Sequence, residues 1–305
     1  MSLVYSKSNY LKSPLNYIGG KYKLLKQILP LFPDNIITFV DLFAGGCNVG
    51  INVKAEKVIF NDNLTFLIEM YEMFQNLSLD YILLHIEKQI NIFDLSISNE
   101  KSYIEFRKFY NLHKNPLDLF VLIAFSFNHQ IRFNNSHQYN NPFGKDRSCF
   151  NDSMKNNLIK FILKLKEGNY NFINNSFEKF DFDQLQANDF VYCDPPYLIS
   201  TGTYNDGKRG FKGWTQKEEN ELLDTLDSLN NKGVQFGLSN VIEHKGNENK
   251  ILKDWLTRND YPINYLNFNY SNSNYQTKIR DKNSSIEVLI TNYDTNQFNN
   301  KISLF

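Results

Sequence analysis

The apolar positions along the chain follow two rhythms. Ile36 to Phe43 (IITFVDLF) is a nearly continuous apolar run that ends in a Gly-Gly pair. Such a run predicts a strand buried on both faces of a parallel sheet. Lys57 to Asp62 (KVIFND) predicts a second short strand. Elsewhere the period lengthens. Leu24, Leu25 and Ile28 share a helical face within Lys21–Leu29, which Pro30 and Pro33 close. Leu79, Ile82, Leu83, Ile86 and Ile90 line a second helix, and Leu117 to Phe127 forms a third, opened by Pro116. Leu158, Phe161, Ile162 and Leu165 mark a fourth.

Strand-like runs then return at Tyr170–Ile173, Phe190–Cys193, Val234–Leu238 and Ile286–Ile290. Between them, Thr215 and Glu218 have capping-box spacing, Leu222, Leu226 and Leu229 continue that helix, and Gly233 ends it. Residues 128–151 are polar and without a clean period, with Pro142-Phe143-Gly144 inside, and read as a long loop or hairpin. Strand and helix thus alternate at both ends of the chain around a helical middle. The expected fold class is α/β: a doubly wound sheet built from residues 1–65 plus 169–305, with a mostly helical insertion at 66–168.

Composition narrows the class. With 305 residues, 42% hydrophobic and 22% charged, the chain is long and apolar enough for a real core, which excludes global disorder. No apolar run reaches the roughly 18 residues of a membrane span. The first residues, MSLVYSKSNYLKSP, lack the apolar stretch of a signal peptide, so the expected location is the cytoplasm. Cys47, Cys149 and Cys193 form no close-spaced pair, which fits neither a zinc ribbon nor a disulfide framework. The five histidines show no ligand spacing, so no metal is expected.

The charge is balanced, 33 basic against 33 acidic residues, yet unevenly spread. The first 33 residues carry five lysines (7, 12, 21, 23 and 26) and no acid. Val121 to Leu165 holds Arg132, Lys145, Arg147, Lys155, Lys160 and Lys164 against Asp146 and Asp152. A solvated lysine face explains a charge run by itself. In the second stretch, however, the cations are interleaved with Phe127, Phe133, Tyr139 and Phe143, a mixture that suits phosphates and stacked bases.

Three motifs bear chemistry. Asp41-Leu-Phe-Ala-Gly-Gly-Cys-Asn-Val-Gly50 follows the first buried strand, where glycines let the backbone approach a ligand closely. Its G-G-x-x-x-G spacing is not the dinucleotide fingerprint, and alone it fits a tight turn equally well. Asp62 ends the next strand, where an acid binds ribose hydroxyls or caps a helix. Asp194-Pro-Pro-Tyr197 follows the apolar Phe190–Cys193 and is the specific signal. Its prolines remove two N–H donors and hold a carboxylate rigid at a strand's C-terminal end. A planar amine can donate to the Asp194 carboxylate and the Pro195 carbonyl while Tyr197 stacks on its ring.

These blocks together resemble the Dam-type, α-group DNA adenine-N6 methyltransferases, which use S-adenosylmethionine. Asn16-Tyr-Ile-Gly-Gly-Lys21 is similar to the family's N-terminal cofactor motif and Phe43-Ala-Gly-Gly46 to its glycine loop. Phe127-Asn-His-Gln-Ile-Arg-Phe-Asn134, followed by Asn141-Pro-Phe-Gly-Lys145, is similar to its target-reading hairpin, and Asp194-Pro-Pro-Tyr197 to its catalytic motif. The matching blocks run in family order from about Ser13 to Asn292.

The resemblance implies a Rossmann-like methyltransferase sheet with an inserted DNA target-recognition domain whose reading hairpin lies near 127–147. It implies catalysis at Asp194, Pro195, Pro196 and Tyr197. The cofactor is then held by Tyr17, Gly19, Gly20, Lys21, Asp41, Phe43, Gly45, Gly46, Asp62, Phe177 and Asp194. Lys21 would pair with the methionine carboxylate and Phe177 would line the adenine pocket. Double-stranded DNA is read by Phe127, Asn128, Ile131, Arg132, Asn134, Pro142 and Lys145, with Arg132 on a guanine edge. The expected activity is methyl transfer to N6 of a flipped adenine in a short, GATC-like duplex site. Asn16 stands where enzymes reading GATC carry a lysine, which leaves the outer base open. A monomer is expected, with a cognate restriction endonuclease acting separately. An N4-cytosine methyltransferase and a catalytically silent DNA-binding protein share these motifs and stay open here.

Overall fold

The apolar runs at Ile36 and Phe190 become adjacent central strands because every second side chain in each enters one of two opposed cores. The computed structural model describes residues 10–199, 214–266 and 285–296; Lys7 of the N-terminal lysine group lies outside them. Five parallel strands, β1 (Ile36–Asp41), β2 (Ala55–Asn61), β3 (Tyr170–Ile173), β4 (Phe190–Cys193) and β5 (Gln235–His244), stand in the order β3-β2-β1-β4-β5. A two-residue strand, β6 (Asn247–Glu248), pairs with β5, and β7 (Ile263–Leu266) forms the far edge. The last strand, β8 (Ser285–Thr291), runs antiparallel between β5 and β7. This is the mostly parallel sheet of a Rossmann-like methyltransferase.

Alternation sorts the side chains. Phe39, Phe190 and Tyr192 face one core, while Val40, Val191 and Cys193 face the other. The second core is closed by α7 (Gln216–Asn231) and α8 (Lys250–Asn259). The capping box at Thr215 and Glu218 forms as the spacing indicates. The first core runs on into the helical middle: α2 (Thr65–Asn76), α3 (Leu79–Ile92), α4 (Glu100–His113), α5 (Pro116–Phe125) and α6 (Asp152–Glu167). One continuous buried cluster therefore joins these helices to the sheet. Tyr71 of α2 stacks on Phe172 of β3, with ring centroids 5.4 Å apart. α5 is buried at every described position from Leu117 to Phe125, which explains its unbroken apolar sequence.

Four elements depart from the expected pattern. Lys21–Leu29 is a 3₁₀ turn followed by a single helical turn, α1 (Leu25–Ile28), because Pro30 cuts the segment short. α2 and α4 are helices beyond those expected; their buried faces are Leu67/Tyr71/Phe74 and Tyr103/Phe106/Tyr110. β5 extends to His244, well past the expected end at Leu238. Among the described residues no helix is long and apolar enough to cross a membrane.

Candidate active site

The strand order reverses between β1 and β4, and open α/β sheets bind ligands at that switch point, beyond the strands' C-terminal ends. A cleft opens there. Tyr17, Gly19, Gly20, Lys21, Asp41, Phe43, Gly45, Gly46 and Asp194 all line it, together with Ile18, Ala44, Asn48, Val49 and Tyr192. The two segments expected to hold a cofactor are thus brought to one place from opposite sides of the first strand.

The glycine loop's conformation explains its residues. Gly45 has φ of +46°, which favours glycine, and a Cβ there would lie 2.9 Å from the Tyr17 ring. Tyr17 therefore lies directly on the loop. Asp62 clamps the loop from below: one carboxylate oxygen accepts from Gly45 N at 2.9 Å, the other from Leu64 N at 2.9 Å. Tyr71 of α2 donates to the Gly45 carbonyl at 2.8 Å. Asp41 accepts from Gly50 N at 3.1 Å and is 2% exposed. Burial pushes its carboxyl well above the ordinary range, against the pull of that amide.

Asp194 sits where β4 ends, beside Lys21. The Lys21 ammonium lies 2.8 Å from Asp194 Oδ1 and 3.4 Å from Glu287 Oε1, and donates to the Gly19 carbonyl at 3.0 Å. The Tyr197 hydroxyl lies 2.9 Å from Asp194 Oδ1 and 3.1 Å from Glu287 Oε1, and its one hydrogen serves either carboxylate in turn. The ammonium also lies 5.1 Å from the Tyr197 ring centroid. Burial alone would pull Lys21 down, but the two carboxylates outweigh it and hold the ammonium above its usual value. Burial raises the Asp194 carboxyl against the opposing pull of Lys21. Lys21 is committed to protein carboxylates here, so its first role is to anchor Asp194.

Glu287, on β8, was absent from the sequence-derived set. In S-I-E-V-L-I-T it looks like an outward polar residue at a strand's start, yet it is 2% exposed. Phe177 lies beside the cleft rather than in its lining. Its ring packs against Phe43 and Trp214, each centroid 5.6 Å away, and Phe43 carries that contact into the cleft wall.

The segment expected to read DNA is a hairpin. Phe127 N donates to the Pro142 carbonyl at 2.7 Å, Asn140 N to Arg132 O at 3.0 Å, and Asn134 N to Gln138 O at 2.9 Å. Buried Asn141 staples its two sides, donating to the carbonyls of Phe127 and Gln130 at 3.0 and 2.9 Å. Phe127, Asn128, Pro142 and Lys145 are exposed; Ile131, Arg132 and Asn134 are half-buried. The Arg147 guanidinium lies 5.3 Å from the Phe127 ring. Asn134 is spent on the turn, where its side chain accepts from Ser136 N and Gln138 N. Asn128 has φ of +54° and His129 +52°, which turns the chain sharply at the start of the hairpin. The described residues contain no cluster of acids, histidines or cysteines of metal-binding geometry.

Residues 17–279 match the model of the D12 class N6 adenine-specific DNA methyltransferases. The chain belongs to this family. The D12 chain is 55% identical over 296 residues to modification methylase StsI of Streptococcus sanguinis, covering 97% of this chain and 45% of that protein. It is 54% identical over 286 residues to type II methyltransferase M.FokI of Planomicrobium okeanokoites, covering 94% and 43%. A DNA adenine methylase of Vibrio cholerae matches at 26% over 231 residues, 74% of this chain and 80% of that one. The D12 chain thus spans less than half the length of the two modification methylases. The family expected from Asp194-Pro-Pro-Tyr197 and its companion motifs is the family found.

Proposed function

We propose that this chain transfers a methyl group from S-adenosylmethionine to N6 of an adenine rotated out of duplex DNA, and protects sites against a cognate restriction endonuclease. The observation that carries this is Asp194. All its described contacts fall on Oδ1, and its side chain is 19% exposed at the cleft. The second oxygen is left to accept a hydrogen bond from a bound amine.

The residues fit the cofactor. Lys21 is one cation between the carboxylates of Asp194 and Glu287, so the cleft suits a ligand that brings positive charge. S-Adenosylmethionine supplies an activated methyl on a sulfonium. Glycines 19, 20, 45 and 46 and Tyr17 would cradle it, with Asp62 and the Phe43–Phe177 pair on the side of its nucleoside. Asp194 and the Pro195 carbonyl would hold the target amine pyramidal and stabilise the charge that develops on its nitrogen. Tyr197 would stack on the base and Pro196 keeps the turn rigid. We assign base reading to the hairpin at 127–147 within residues 66–168, with Arg132 on a guanine and Phe127 and Asn128 flanking the gap left by the flipped base.

The deciding experiment is methylation of a plasmid by the purified protein with S-adenosylmethionine, read by single-molecule sequencing. N6-methyladenine confined to one short motif is the expected result. N4-methylcytosine, or no modification by protein that binds the cofactor, would overturn the reading.

A further inference from the structure

Glu287 is a carboxylate almost wholly out of water, where a charge survives only if it is paired. It reaches that position because β8 inserts between β5 and β7, with Glu287 opposite Val241 and Leu266. Its partners include Lys21 and Tyr197, the same two groups that grip Asp194. Lys21 alone would suffice to neutralise Asp194. A second carboxylate on the same ammonium has no use in a simple ion pair.

We infer that Glu287 is a positioning residue of the methyl-transfer centre, adding a negative charge to the buried cluster and bracing Lys21 and Tyr197 so that Asp194 is held by one oxygen. The inference rests on the adenine-methyltransferase reading above. Lys21, Asp194 and Glu287 sum to a single negative charge. Among the described residues, the other titratable groups facing Asp194 are Asp41, the Cys193 thiol and the phenols of Tyr192 and Tyr197, none of which adds a cation. Positive charge would develop on the amine nitrogen as its lone pair forms the bond to the methyl carbon; the carbon–sulfur bond would break with its electron pair left on sulfur as a neutral thioether, and the nitrogen would then lose one proton to solvent water. A neutral Lys21–Asp194 pair would offer that charge little, whereas the cluster with Glu287 attracts it. The Tyr197 hydroxyl has one hydrogen and lies between both carboxylates. It and the ammonium thus form a brace from β8 to Oδ1 of Asp194, leaving Oδ2 toward the cleft.

Glu287→Gln tests this, because it keeps the shape and an oxygen acceptor for Lys21 and Tyr197 but removes the charge. Calorimetry on the ligand-free protein compares S-adenosylmethionine with the uncharged thioether S-adenosylhomocysteine. The expected result is about a tenfold loss of affinity for the sulfonium beyond any loss for the thioether. Single-turnover methyl transfer should fall roughly ten- to a hundredfold. The acid limb of its pH profile should move to lower pH, since Asp194 loses a neighbouring negative charge that raises it. Glu287→Asp, which keeps the charge, should retain the wild-type preference between the two ligands. Equal losses for both ligands, or an unmoved acid limb, would reduce Glu287 to a structural residue and overturn the inference. Wild-type protein that binds neither ligand would overturn the methyltransferase reading and this inference with it.

Discussion

Asn16 donates through Nδ2 to the backbone carbonyl of Asn128, 3.0 Å away across 112 residues of chain. Asn16 immediately precedes Tyr17, which lies on the glycine loop, and Asn128 is a left-handed residue at the start of the reading hairpin. This one exposed hydrogen bond joins the wall of the cleft to the element assigned to the DNA. Asn16→Ala should therefore weaken DNA binding a few-fold, in keeping with the roughly 0.5–1.5 kcal/mol of a single hydrogen bond. Its affinity for S-adenosylmethionine should stay within twofold of wild type. Parallel titrations with a cognate duplex and with cofactor check both; an equal loss in each would mean that the bond supports the whole cleft rather than the hairpin.

Asp194→Ala should abolish methyl transfer and leave duplex binding largely intact, as read by radiolabel incorporation and by gel shift. Near-normal turnover would remove Asp194 from the mechanism. The pH dependence follows from the same residue. Burial raises its carboxyl, and transfer needs the carboxylate form. The single-turnover rate should fall as pH drops through a value above the ordinary carboxylate pKa of about 3.9.

Arg132 is half-buried on the hairpin and is assigned to a guanine edge. Arg132→Ala should cost roughly 1–3 kcal/mol on the cognate site and relax choice at one base pair. Competition between cognate and singly substituted duplexes measures this. A uniform loss on all duplexes would instead make Arg132 a phosphate contact.

Asp41 bears on stability. Its carboxyl is raised by burial, so the folded state binds that proton more tightly than the unfolded chain does. The resulting stabilisation is fully present below the unfolded pKa of about 3.9 and is lost as pH rises through the folded value. Asp41→Asn should therefore flatten this part of the profile, raising the thermal midpoint relative to wild type more at pH 8 than at pH 5. A constant offset between the two proteins at every pH would show that Asp41 does not titrate with folding.

Much of this protein was legible in its sequence wherever the cause is local. Ile36–Asp41 and Phe190–Cys193 read as central strands because burial on both faces demands unbroken apolar runs. The Thr215–Glu218 cap depends on residues within a few positions of each other. The Asp194-Pro-Pro-Tyr197 turn was legible too, because proline constrains the backbone whatever surrounds it.

What the tertiary structure alone decided lies in pairings across long stretches of chain. Glu287 looks solvent-facing until the antiparallel insertion of β8 turns it onto Lys21 and Tyr197. Lys21 stands 173 positions before Asp194 in the numbering, and only the switch between β1 and β4 brings the two within 2.8 Å. Asp62 reads as a ribose ligand from its place after β2, but its carboxylate already holds Gly45 and Leu64 through backbone amides. Periodicity reports which face of an element is buried. The partner met on that face, and hence the charge state and orientation of each carboxylate, depends on sheet order and register, which side-chain alternation leaves undetermined.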